Sequence, residues 1–261
     1  MPDAAHPPTE TPSPFEPGVE AELERLAALH RAAAGPGMSV LASLGARAEG
    51  LLDRLPASAR DQLDRATEQA LELAYKGASR TRGGRLPDTG EWMTTALSTA
   101  MGAAGGFGGL PTALAEVPVT TTFLMRAMQG IAAEHGFEPG DEQTRLACLQ
   151  TFAAAGPLSE DDGGTAAFLT LRFGTTGYGL KMLIGEVAGV FSLVLGRKIA
   201  AQAVPVLGSA LGAAINWTYT SYYQDMARVQ FGLMRLARDH DLDPEAVIVR
   251  FRRAALPRAE G

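Results

Sequence analysis

The chain has 261 residues and a mass of 27.4 kDa, enough for one large domain or two small ones and for a substantial core. Apolar residues make up 46% and charged ones 20%, which excludes wholesale disorder, and a net charge of −6 argues against nucleic acid as a partner, because phosphates need a basic face. The one cysteine, Cys148, excludes a disulfide framework and a cysteine-based zinc site. Abundant Ala (45) and Gly (30), with few β-branched and aromatic residues, favour helices over sheets.

Residues 1–18 carry six prolines among acidic and small residues, a composition that predicts a disordered tail. The tail has neither the basic start nor the apolar run of a secretory signal, so the cytoplasm is the expected compartment. From Val19 the pattern is helical. Glu20 to Ala34 repeats apolar positions at three and four and stops at Gly35-Pro36-Gly37. A second helix runs from Met38 to Leu55 and closes at Pro56. Ser58 and Asp61, three apart, open an amphipathic helix to Lys76, and a basic connector with Arg80, Arg82 and Arg85 follows. Pro111 and Pro118 bracket a turn or kinked segment, after which Val119 to Glu134 is helical and ends at His135-Gly136. Further helices are expected from Asp141 to Ala155, Gly179 to Gln202 and Pro205 to His240. Asp243-Pro244 supplies an N-cap and first-turn proline for a last one to Leu256. The expected fold is all-α, a single bundle-like domain over 19–256 with Gly/Ala-rich central helices.

Two stretches lack charge altogether, one between Glu91 and Glu116 and the other from Ile199 to Gln224. Glycines four apart recur at 102/106, 105/109, 185/189 and 208/212. Each interior glycine costs a helix about 1 kcal/mol relative to alanine. The offset expected here is close helix–helix approach. Gln202, Ser209, Asn216, Thr218, Thr220, Ser221 and Gln224 make the second stretch too polar for a plain spanning helix, and the mean hydropathy of +0.01 agrees.

The run Gly108-Gly-Leu-Pro-Thr-Ala-Leu-Ala-Glu116-Val-Pro118, Arg126, the Glu134-His-Gly-Phe-Glu-Pro139 turn and Arg145-Leu-Ala-Cys-Leu resemble the EcsC family. So does Pro205-Val-Leu-Gly-Ser-Ala-Leu-Gly-Ala-Ala-Ile-Asn216, with Gln224-Asp-Met-Ala-Arg228 after it. The resemblance covers roughly residues 56–240. It implies a bacterial protein of a family named for a gene beside an ABC-transport system, and it carries over no catalytic residue.

Glu116 stands in an apolar stretch two residues before Pro118, where the missing N–H frees the carbonyl of Leu114. It reads either as a general base or as one half of a structural pair with Arg126. Asn216 and Tyr223, seven apart, share a helix face and either line a ligand cavity or fix register by interhelical hydrogen bonds. Trp217, Tyr219, Tyr222 and Tyr223 suit a membrane-interface belt and a packed core equally. Sharper motifs fail. Gly174-Thr-Thr-Gly-Tyr-Gly-Leu-Lys181 misses the phosphate-loop spacing and lacks a preceding strand. Four scattered histidines make no zinc-protease helix, and Cys148 between Leu146 and Leu149 reads as a core residue.

These observations lead to a non-catalytic, cytoplasmic helical protein that docks on the inner membrane face or on a membrane-protein partner, with no nucleic acid, metal or cofactor. The alternatives are a lipid- or small-molecule-binding bundle with a cavity lined by Glu116, Arg126, Asn216 and Tyr223, and a hydrolase that uses Glu116.

Overall fold

The computed structural model describes residues 15–33, 57–78, 109–154, 180–202 and 208–255. Every element among them is a helix: α1 (Pro17–Ala33), α2 (Ala57–Ala78), α3 (Gly109–Glu134), α4 (Glu142–Thr151), α5 (Leu180–Gln202), α6 (Gly208–Asp239) and α7 (Pro244–Ala255). The fold is all-α. The expected helix at 38–55, the basic connector, the Gly102, Gly105 and Gly106 run and the Gly174 loop lie outside the described residues.

Local chemistry explains three of the helix ends. Pro17 takes the first position of α1, where its missing N–H costs nothing, and the Glu20 N–H already donates to the Glu16 carbonyl. Phe15 packs against the core, so residues 15–18 of the expected tail are ordered chain. Gly136 adopts φ +77° after α3, the left-handed conformation that closes a helix. Asp243 caps α7 by accepting from the Glu245 N–H.

The turn or kinked segment expected between Pro111 and Pro118 is instead the first part of α3, which runs through Pro118 unbroken. Only one ladder bond is lost there. The buried Thr121 hydroxyl satisfies itself on the Val117 carbonyl, and the Thr122 hydroxyl does so on that of Pro118.

One cluster of buried side chains draws on all seven helices. Its axis is α6, which between Tyr219 and Leu233 is buried on nearly every face. Around it stand α1, α3, α4, α5 and α7, while α2 covers α3 and α5. α3 runs beside α6 in the same direction: Glu116 meets Asn216 near one end, and Arg238 donates to the Gly136 carbonyl near the other. α5 runs antiparallel to α6, with Val194 level with Tyr219 and the Phe191 ring against Tyr223.

The glycine expectation needs correction at the 185/189 pair, while the side-chain surroundings of 102/106, 105/109 and 208/212 lie outside the described residues. Gly185 and Gly189 are exposed, and a Cβ on either would meet nothing within 4 Å. They lie on the side of α5 opposite Leu183, Ile184, Val187 and Phe191, which hold the helix to the core. Close approach occurs instead at Gly232 of α6, where a Cβ would stand 2.6 Å from Leu26 Cδ2 of α1. Gly232 has no partner glycine four residues away.

Candidate functional site

α3 and α6, which begin within the two uncharged stretches, lie side by side. Glu116 enters this seam from the third turn of α3 and Asn216 from the third turn of α6, and the Asn216 Nδ2 donates to Glu116 Oε1 at 3.3 Å. Asn216 is almost fully buried and Glu116 half-buried. A part-buried carboxylate held by an amide is oriented and partly compensated for its lost hydration. The amide neither gives nor takes a proton, so this pairing provides an acceptor rather than an acid–base couple.

The other two candidates stand at different levels. Arg126 follows Glu116 by ten residues on the same continuous helix, about 15 Å along the axis. Tyr223 lies two turns beyond Asn216, about 10 Å on, fully buried among Phe152, Phe191 and Tyr222. Its hydroxyl donates to the Ala154 carbonyl at 3.3 Å, which ties the turn after α4 to α6. Burial raises the phenol's pKa well above its ordinary value, with the neighbouring Tyr222 and Tyr219 adding to the effect, so it stays a neutral donor. The structure thus joins Glu116 to Asn216, places Arg126 almost three turns further along α3, and packs Tyr223 against Phe152 and Phe191 of the neighbouring chain segments.

One polar group that the sequence shows in the second uncharged stretch was not among the candidates. Gln224, one turn past Thr220 and two past Asn216, is buried, and its Nε2 has no hydrogen-bond partner. Its signal was the four-residue recurrence of polar side chains, Asn216, Thr220 and Gln224, along an otherwise apolar helix. Gln129, also buried, instead donates to the Pro139 carbonyl at 2.8 Å and pins the α3–α4 turn.

Cys148 is a core residue: it is fully buried, and desolvation pushes its thiol far above the usual range. Among the described residues no three His, Cys, Asp or Glu side chains gather to hold a metal ion. No helix among them is long and apolar enough to cross a membrane. Exposed large apolar side chains occur on α5, at Met182 and Leu193, and on α6, at Trp217.

The chain is 28% identical over 131 residues to the uncharacterized protein YdbA of Bacillus subtilis (strain 168). That match takes in 47% of this chain and 46% of YdbA, so less than half of the relative's length is covered. No solved structure matches. The family model described as the EcsC protein family matches residues 47–236, well over half of the chain, from before α2 to the last turn of α6. This chain belongs to the EcsC protein family.

Proposed function

We propose that this chain is a non-catalytic helical protein that associates peripherally with the cytoplasmic face of the inner membrane, through α5 and α6 at the level of Leu193 and Trp217. The observation that carries this reading is Trp217. It is 55% exposed on α6, inside the stretch from Ile199 to Gln224 that holds no charged residue. Leu193 of α5, 61% exposed, stands at nearly the same level, because the adjacent Val194 carbonyl accepts from the Tyr219 hydroxyl. An exposed indole and an exposed leucine at matched height suit shallow burial at the boundary between headgroups and acyl chains. The net charge of −6 makes the attraction apolar rather than electrostatic. The family's link to a transport system agrees with a place at the membrane.

Flotation with neutral phosphatidylcholine liposomes tests this. The protein should float, and equally well at about 0.1 M and about 0.5 M salt, since screening does not weaken apolar insertion. Trp217→Ser should reduce the floating fraction several-fold while leaving the circular dichroism unchanged. In a Trp92→Phe background the emission of Trp217 should shift to the blue on adding liposomes. Flotation with native membranes but not with lipid would transfer the site to a membrane-protein partner. A chain that stays in the load fraction with both ends the proposal.

One observation favours a second reading, a bundle that binds a lipid or small molecule. The unpartnered Nε2 of the buried Gln224 on α6 is a donor that an ester or headgroup oxygen would satisfy. Native mass spectrometry of the purified protein should then show a co-purifying ligand, lost on Gln224→Leu. A ligand-free wild type counts against it.

A further inference from the structure

The residues of α5 that face away from the core recur at three and four: Lys181, Met182, Gly185, Glu186, Gly189 and Leu193 are all exposed. Met182 and Leu193, 58% and 61% exposed, stand at the two ends of this face. Between them the glycines leave a flat facet, with open space where each Cβ would stand. Such a face is a poor one for a helix left alone in water, because each interior glycine weakens it and each bare apolar side chain gains nothing. A second backbone laid along the facet would reverse both effects.

Charge identifies the occupant. Lys181 and Glu186 are the two charged residues between Leu180 and Leu193, and both flank the facet, five positions apart. When two identical helices lie parallel, flanking residues five apart meet across the seam. Each Lys181 then faces Glu186 of the other copy, and the two-fold axis repeats the pair. An antiparallel arrangement centred on the glycines would bring the two Glu186 carboxylates together instead.

We infer that two copies of this chain pair through α5, parallel and in register, with Gly185 against Gly185 and Gly189 against Gly189. The flanking ion pairs set the direction, while Met182 supplies apolar contact beside them. This arrangement points both α5–α6 connections the same way. It goes beyond the membrane reading and does not depend on it.

Light scattering in membrane-free buffer should give twice the 27.4 kDa chain mass. The double variant Gly185→Gln, Gly189→Gln should fall to the single-chain mass with its helical circular dichroism intact, since neither position touches the rest of the fold. Lys181→Glu should weaken pairing at least tenfold, and adding Glu186→Lys should restore it. Gly185→Cys should cross-link to itself under mild oxidation, with Cys148 buried and silent. A monomeric wild type, a dimer indifferent to the glycine and charge variants, or Gly185→Cys that cross-links only to Gly189→Cys would each overturn the inference. Flotation separates the two proposals: a monomer that floats removes this one alone, and a dimer that does not float removes the membrane reading alone.

Discussion

Gly232 and Gly130 respond in opposite directions to the same added methyl group. On α6 a Cβ at Gly232 would press on Leu26, itself fully buried, so the leucine must move into packed neighbours. Overpacking of this kind costs about 1–3 kcal/mol, and the gain in helix propensity returns about 1. Gly232→Ala should therefore lower the unfolding free energy by about 1 kcal/mol in a urea titration. Gly130 sits in the interior of α3 and faces open space, so Gly130→Ala should raise it by about 0.5–1 kcal/mol. Equal stabilisation by both would mean that α1 does not approach α6 there. Sequence pattern favoured glycines in pairs four apart and passed over the isolated Gly232, because spacing says nothing about which way a glycine faces. The buried positions of α5 at 183, 184, 187, 188 and 191 do mark that helix's inner stripe, and they put Gly185 and Gly189 on the far side. Direction was legible there from the apolar stripe, whereas at Gly232 it depended on α1, two hundred residues away in the chain.

The helices α3 and α6 show which part of an element its own sequence dictates. Caps and stops were legible, since Gly136 and Asp243 act through neighbours in the chain. The start of α3 was not: Pro118 reads locally as a break, and tertiary packing of Val117 and Thr121 outweighs the one bond it removes. Glu116 and Asn216 stood out as polar residues in uncharged surroundings, but their meeting rests on α3 and α6 running parallel, which no local signal reports. The Glu116–Arg126 pair weighed from sequence asks two side chains to meet across ten residues, about 15 Å along an unbroken α3. Asn216→Asp checks the seam. The substitution removes the donor and sets a second carboxylate against Glu116, so one of the two holds its proton more tightly in the folded state than in the unfolded state. Stability should drop by about 1–3 kcal/mol at neutral pH and recover as the pH falls through that raised value, because the folded state then binds the extra proton. Chemical denaturation at about pH 7 and about pH 5 gives the sign. An equal loss at both would place the two side chains apart.

Across the whole molecule, α1 and α7 flank the C-terminal half of α6, and both lie outside the family-matched residues 47–236. Arg250 of α7 pairs with Glu20 and Glu24 of α1, Arg31 donates to the Ala254 carbonyl, and Arg235 of α6 reaches Glu22 at 3.0 Å. Solvated ion pairs contribute about 0–1 kcal/mol each, so the contact rests mainly on Val19, Leu23, Leu26, Val247 and Phe251, all buried. His30 sits within it, its ring edge-on to Phe251. Burial lowers the imidazole's pKa and the adjacent Arg31 lowers it further, so the folded state favours the neutral ring. Protons then bind the unfolded chain more readily. This contribution is complete above the ordinary imidazole value of about 6.5 and is lost as the pH falls through it toward the lower folded value. The thermal midpoint should decline between about pH 7.5 and about pH 5.5, and His30→Gln should flatten that slope; a slope unchanged by the substitution would assign it to other groups.

Residues 17–33 leave the ribosome well before their main neighbours, α6 and α7, have been translated. Until α6 is made, Leu26 has no Gly232 to pack against, so the nascent chain carries Leu23 and Leu26 unshielded while about two hundred further residues are added. Late docking of α1 is the consequence of that order.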